Sequence, residues 1–437
     1  MLGSLKEFIR PYYLKWFYFR LFPELQPPYF SACWRYPTHT IHPRLRRQIG
    51  PTRQEPELLF LPMTDWHTRI QRTQHLARTF ATQGHRCFYL NPHLGREFPR
   101  PALLRRRNGS PVTLLAPLIA ELHVHLPIEP VFHHRLLSRE EQARVFTALT
   151  RTFQACGTRQ LLQIVSFPLW LEVACRVRDE FGFPIVCDCH DLLSGFRSMA
   201  PEIVQAEAAL FRASDLVVFS SKHLMAVHLA EHPWLEDKSI LVRNAVDDSW
   251  VASADSLQRP APGPTVKVGY IGALDYWLDV DAIERMARRR PDWEFVLIGR
   301  VENERVHGLA ALANVKLRGE IPYDELPGHL ATFNVAVIPF LRNSLTLATN
   351  PIKLYEYFSF GLPVVSARLP ESEQFGPLVY LTESPEDYER QIQAAARESD
   401  ASLRNDRIRI ARQETWMARA AQLSEAFRKL WQPCGCS

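Results

Sequence analysis

The densest concentration of usable chemistry is the run Thr349, Asn350, Pro351, Ile352, Lys353, Leu354, Tyr355, Glu356, Tyr357, Phe358, closed by Gly361, Leu362 and Pro363. Asn350 has the side chain of an N-cap, Pro351 suits a first helical position, and Gly361 suits the residue just past a helix end. These end signals predict a short helix over residues 351–360. Lys353 then falls in the first turn, where the helix dipole mildly disfavours a cation. A phosphate reverses that sign, because free amides and an ammonium group then surround an anion. Glu356 lies one turn on along the same face, where its carboxylate can accept hydrogen bonds from a pair of sugar hydroxyls. The plainer reading is a surface ion pair worth about 0.2–0.5 kcal/mol.

Other candidates sit at the ends of apolar runs. Gly269 and Gly272 would let a backbone approach a nucleotide closely, although a tight strand-to-helix turn needs glycine without any ligand. His190 and Asp191 directly follow the run 185–189, where either can accept a proton; the alternative is that the acid only caps the next turn. Asp65, Arg69 and Arg72 lie on a loop and helix start after the first apolar run, placed either to bind a ligand or to form a structural ion pair.

These residues need a frame, and the hydrophobic pattern predicts one. The run 57–61 reads as a buried strand, residues 70–81 as a helix ended by Gly84, and 87–90 as the next strand. The alternation returns at 161–165, 169–181, 185–189, 200–213 and 216–220, which implies a parallel, doubly wound sheet. Residues 100–130 are rich in proline and receive no assignment. The proline-dense stretch 255–265 reads as an interdomain linker. After it, strands are expected at 266–271, 293–298, 315–317, 335–339 and 363–366, with helices at 280–289 and 351–360 and a long terminal helix ending near Trp431. Two such α/β domains leave a cleft at the carboxyl ends of their sheets, where open α/β folds bind ligands.

Length and composition agree with that plan. A chain of 437 residues exceeds what one core usually organises, and 46% of it is apolar. A formal charge of +5 does not support a nucleic-acid binder. The eight cysteines, at 33, 87, 156, 175, 187, 189, 434 and 436, form no CxxC pair, so reduced thiols and no metal site are expected. Cys434 and Cys436 are read as a frayed tail, with lipidation or metal binding as alternatives. No run of about 18 apolar residues suggests a membrane span, and residues 1–30 lack the apolar core of a signal peptide. That first stretch interleaves Phe8, Tyr12, Trp16 and Phe19 with Lys6, Arg10, Lys15 and Arg20. It suits a lipid headgroup interface or, equally, packs on the protein body.

The segment from Asn350 to Phe358 resembles the donor-binding signature of GT-B glycosyltransferases, especially bacterial family 4 relatives of exopolysaccharide and teichuronic-type polymer synthesis. Val268-Gly269-Tyr270-Ile271-Gly272-Ala273, Phe295-Val296-Leu297-Ile298-Gly299 and Gly319-Glu320-Ile321-Pro322-Tyr323 are similar to other family segments in the expected order. So are Gln71-Arg72-Thr73-Gln74-His75-Leu76-Ala77 and the stretch from Asp188 to Phe196. The resemblance covers roughly residues 57–431. It implies two facing Rossmann-like domains: an acceptor domain at 54–255 after an extension of residues 1–53, a linker at 256–265, a nucleotide-sugar domain at 266–395, and a C-terminal helix and tail at 396–437.

It further implies a cytoplasmic enzyme, peripheral at the membrane, that moves a sugar from a nucleotide-diphosphate donor to a lipid-linked or oligosaccharide acceptor, with no cofactor or metal. By carry-over Glu356 holds the donor ribose, Ile321 lies in the loop that meets the base, and Lys353 and Arg300 neutralise the pyrophosphate. Gly272, Asn350 and the amides near Pro351 complete the donor set. Asp191, then His190, is expected as the base, and Asp65, Arg69 and Arg72 at the acceptor. The first glutamate of the family's pair is missing, since that position is Ala348. An epimerase or hydrolase of nucleotide sugars, or an idle nucleotide-sugar-binding partner, are the alternatives.

Overall fold

A computed structural model describes residues 38–41, 45–67, 69–92, 111–124, 132–256 and 265–431. The aromatic residues 1–30, Cys434 and Cys436, and residues 257–264 of the expected linker lie outside them. The chain divides into two compact units, and each is an α/β unit built on its own sheet. One comprises Met1–Cys189, Arg197–Val218 and Asp237–Ile240. The other comprises His190–Phe196, Phe219–Glu236 and Leu241–Ser437.

In the first, the strands are β1 (Thr38–Thr40), β2 (Gln54–Leu61), β3 (His85–Leu90), β4 (Pro111–Ala116), β5 (Ile119–Leu122), β6 (Leu161–Val165), β7 (Ile185–Cys189), β8 (Leu216–Phe219) and β9 (Ser239–Leu241), in the order β1-β4-β5-β3-β2-β6-β7-β8-β9. β2 pairs parallel with β3 and β6, and β3 with β5, as the alternation of strand and helix implies. The edge departs from it. β4 and β5 form an antiparallel hairpin turned at Leu118, whose φ is 66°, and β1 adds to it antiparallel. This hairpin occupies part of the proline-rich region that received no assignment. Central β6 is buried at every residue, the pattern of a strand covered on both faces.

The second unit carries β10 (Lys267–Ile271), β11 (Glu294–Ile298), β12 (Val315–Leu317), β13 (Val335–Ile338), β14 (Val364–Ala367) and β15 (Val379–Thr382), ordered β12-β11-β10-β13-β14-β15. Every pairing given for this sheet is parallel. The connection from β10 to β11 runs on one side and that to β13 on the other, so the order reverses beside β10, where such sheets bind ligands. Tyr270, Leu297, Val337, Leu354, Tyr357 and Phe358 belong to the core beneath that point.

The expected long terminal helix is present as Trp416–Trp431, and two further helices, Asp387–Ala396 and Ala401–Gln413, precede it. Asp400 starts the second of these by accepting from the Ser402 amide, and Thr415, between it and the terminal helix, bridges to Val246. No helix among the described residues is long and apolar enough to cross a membrane.

Candidate functional site

The helix that carries Lys353 and Glu356 runs from Ile352 to Ser359, and its N-cap is Pro351. This corrects the expected start by one residue. Asn350 does not cap it, because the Asn350 side chain is fully engaged elsewhere. Its Oδ1 accepts from the Asn244 amide at 2.8 Å, and its Nδ2 donates to Tyr355 Oη at 3.0 Å and to Glu371 Oε2 at 2.9 Å. Both amide hydrogens are thereby bound within the fold, so Asn350 is a buried tether of the loop and not a free contact for a hexose. Glu371 also accepts from the Lys222 amide and from Arg243 Nε, each at 2.7 Å. Sequence reading missed this carboxylate; its partners Lys222 and Arg243 lie more than a hundred residues upstream and leave no local pattern.

With Asn350 engaged, no side chain caps the first turn. The amides there keep the donor character that a bound anion completes. Lys353 leans back towards the end of β10, with its Nζ 5.5 Å from the Tyr270 ring centroid and 4.8 Å from that of Phe340. A Cβ at Gly272 would lie 2.9 Å from Lys353 Cε and 3.3 Å from Nζ. The missing side chain at 272 is thus what lets the ammonium reach the switch point. Gly272 has φ of 142°, a region L side chains rarely adopt.

Gly299, at the end of β11, supports this turn from the other side. It has φ of 147°, and a Cβ there would stand 1.9 Å from the Gly272 carbonyl oxygen. Gly299→Ala is therefore expected to destabilise the protein by at least about 2 kcal/mol, from the backbone strain and the forced displacement together. Equilibrium urea denaturation measures it, and an unchanged midpoint would contradict the packing described.

Glu356 is buried, with 7% of its surface exposed. Its carboxyl is raised to about 7: burial and, less, the Asp247 charge push it up, outweighing the Lys353 charge and the hydrogen bond from Tyr323, which lower it. Tyr323 Oη donates to Glu356 Oε1 at 3.2 Å and its ring stacks on Trp250, with centroids 4.7 Å apart. Tyr323 closes the Gly319–Tyr323 segment that sequence reading singled out. Asp247 and Trp250 carried no such signal. Ile321 is half-buried against the core of this unit, and Pro351 is buried. Arg300 follows Gly299 but pairs with Glu302 at 2.9 Å.

His190 and Asp191 fall in the second unit, directly after β7, with His190 Nε2 3.8 Å from Asp191 Oδ2. The Ser220 hydroxyl donates to the His190 carbonyl at 3.0 Å and holds this loop. Ala348, where the family has its first glutamate, is buried, and its carbonyl accepts from Ser221 Oγ at 2.6 Å.

In the first unit, Arg72 forms the structural ion pair that was one of its two expected roles. It is 1% exposed, and its Nε lies 2.9 and 3.0 Å from the two Asp188 oxygens. Asp65 is buried as well: its Oδ1 accepts from the His67 amide at 2.7 Å and its carbonyl from Gln74 Nε2 at 2.8 Å. Gln74 Nε2 also reaches the Arg69 carbonyl, so the carbonyls of Asp65 and Arg69 are both tied to the following helix. Neighbouring Glu121, also unannounced by the sequence, accepts from His67 Nε2 at 2.8 Å and Asn91 Nδ2 at 2.8 Å.

Two Rossmann-like α/β units, with a lysine, a buried glutamate and an uncapped helix start beside the switch point of the second, define the GT-B class of fold. Residues 265–398 match the model of the family described as glycosyl transferases group 1. The chain is 25% identical over 222 residues to TuaH of Bacillus subtilis (strain 168), a protein named as a teichuronic acid biosynthesis glycosyltransferase. That match spans 45% of this chain and about half, 53%, of the relative.

Solved structures show the same fold. Sucrose-phosphate synthase from Thermosynechococcus elongatus superposes with a TM-score of 0.65 at 17% identity, over 86% of this chain and 99% of the other. Anabaena Alr3699/HepE in complex with UDP and glucose gives 0.57 at 16%, over 85% and 99%. A UDP-forming α,α-trehalose-phosphate synthase from Burkholderia vietnamiensis gives 0.58 at 15%, over 86% and 100%.

Proposed function

We infer that this chain is a glycosyltransferase that moves a sugar from a nucleotide-diphosphate donor to a glycan or lipid-linked acceptor in polysaccharide biosynthesis. The observation that carries the reading is the uncapped start of the helix Ile352–Ser359, with Lys353 drawn across Gly272 and Glu356 one turn further on. The amides and ammonium suit a diphosphate, and the carboxylate suits a ribose diol. In the transfer, the bond from the anomeric carbon to the diphosphate oxygen breaks as the acceptor oxygen bonds to that carbon. Lys353 and the helix start stabilise the charge growing on the leaving group. Relatives with bound UDP and the name of TuaH support a nucleotide-sugar donor and a polysaccharide acceptor. No cofactor or metal is assigned a step.

Asp191, with His190 beside it, is assigned to the acceptor proton if configuration inverts; in a retaining enzyme the departing phosphate takes it. Asp191→Ala is expected to lower turnover by about 10²–10⁴-fold while donor affinity stays within error. Steady-state kinetics with isothermal titration of the donor check this, and unaltered turnover removes Asp191 from the reaction.

The loss of the first glutamate at buried Ala348 favours a second reading, a partner that binds nucleotide sugars without turnover. A panel of nucleotide sugars incubated with and without acceptor separates the two. Acceptor-dependent product establishes transfer. Release of free sugar without acceptor points to a hydrolase, and binding alone to the idle partner.

A further inference from the structure

Glu356 is an unusual group on which to hang ligand recognition, because a buried carboxyl near neutrality divides between two forms that bind differently. Ionised, it accepts two hydrogen bonds from a diol; protonated, it donates one and repels nothing. What fixes the balance is packed around it. From its own helix comes Lys353, from the loop after Gly319 comes Tyr323, and from the segment before the helix Asp248–Ser256 comes Asp247. Asp247 already accepts from the Ser249 amide at 2.9 Å and the Ser249 hydroxyl at 2.6 Å, which spreads its charge locally. Lys353 is drawn to the aromatic faces of Tyr270 and Phe340. Tyr323 alone is hydrogen-bonded to the Glu356 carboxylate among the described residues.

The phenol is held in a defined place. Its ring lies on Trp250 at 29° between planes, and Trp250 is 1% exposed with no hydrogen-bond acceptor for its indole N–H among the described residues. A buried indole normally finds an acceptor. Trp250 is placed instead for its face, on which Tyr323 rests. The stack holds the phenol where its Oη lies 3.2 Å from Oε1, within reach to donate to it.

We propose that Tyr323, seated on Trp250, is the positioning residue for Glu356: by donating to Oε1 it holds the carboxylate ionised, with Oε2 presented to the vicinal hydroxyls of a ribose. The proposal rests on the donor-site reading above and deepens it. Neither Tyr323 nor Trp250 touches the reacting atoms in this scheme. Their contribution is the protonation state and aim of Glu356, and hence the pH range over which a nucleoside diphosphate is captured.

The test is calorimetric titration of the full-length protein with uridine, adenosine and guanosine diphosphates between pH 6 and 9, following whichever binds. The Glu356→Gln variant serves as reference, because the ligand's own phosphate titration is common to both. Relative to that reference, wild-type affinity should rise through a midpoint near the carboxyl's value of about 7. Removing the phenol hydrogen bond raises the carboxyl further, so Tyr323→Phe should move the midpoint up by roughly 0.5–1 in pH while affinity above it stays close to wild type. Trp250→Ala should move it in the same direction and Trp250→Phe, which keeps a stacking ring, much less. A merely structural role would lower affinity equally at every pH.

An unmoved midpoint in Tyr323→Phe, with Glu356→Gln still weakening binding, overturns the proposal and leaves the donor site standing. Wild-type affinity and pH profile in Glu356→Gln, or no binding of any of the three diphosphates, overturns the donor-site reading itself. Circular dichroism of each variant confirms that it is folded before it is scored.

Discussion

Lys353→Met should lower turnover by about 10²–10³-fold, the cost of removing one preorganised group from a developing oxyanion. The structure gives reasons to expect the upper part of that range. The Lys353 side chain passes within 2.9 Å of the position a Cβ at Gly272 would take and ends against Tyr270 and Phe340, so its aim is fixed by neighbours on β10 and beyond β13. Methionine fills the same path without the charge. A second consequence follows from Glu356, whose carboxyl is pulled down by the Lys353 charge. Without that charge burial acts unopposed by it, the carboxyl rises further, and at pH 7 more of it is neutral. Donor affinity should therefore fall together with turnover, and raising the pH should recover part of the affinity but little of the rate. Lys353→Arg should restore only part, since a planar guanidinium is wider than the unbranched amine that fits beside Gly272. Steady-state kinetics and donor titration at pH 7 and 8.5 distinguish these contributions. Turnover within threefold of wild type would place the diphosphate elsewhere.

The parts of this site that sequence reading reached are those encoded locally. A lysine and a glutamate three residues apart need only a helix to share a face, and the core pattern of Leu354, Tyr357 and Phe358 supplies one. The strands at 161–165 and 185–189 were legible because buried parallel strands are short, mostly apolar and bounded by polar turns; Gln163 and Asp188 are the polar residues within them. The misses share another cause. Asn350 looks like an N-cap by type and position, yet Asn244 and Glu371 compete for the same side chain and are invisible from its neighbours in sequence. The hairpin of β4 and β5 turns at Leu118, a residue without turn propensity at positive φ, whose amide bonds the Ile49 carbonyl and whose carbonyl accepts from the Cys87 amide, partners distant in sequence. Tyr323 and Trp250 meet only because the fold brings a loop and a helix together across more than seventy residues.

Arg72 shows how the same difficulty bears on function, and it carries the other large expected effect. At the start of a helix near a ligand-binding edge, a basic residue reads equally as an acceptor contact and as half of an ion pair. The structure assigns it to the pair: its guanidinium and the Asp188 carboxylate are both nearly excluded from solvent and bonded to each other. Breaking such a pair from one side leaves an uncompensated charge in low dielectric, which costs about 3–5 kcal/mol. Asp188→Ala should therefore lose stability on that scale in urea denaturation, and Asp188→Asn, which keeps an acceptor for Nε, distinctly less. Replacing both residues by apolar ones of similar volume, Arg72→Met with Asp188→Leu, should recover much of the loss, because the desolvation penalty disappears with both charges. If the double variant is stable and its acceptor KM matches wild type, Arg72 serves the fold alone. A raised KM at restored stability would return it to the acceptor site.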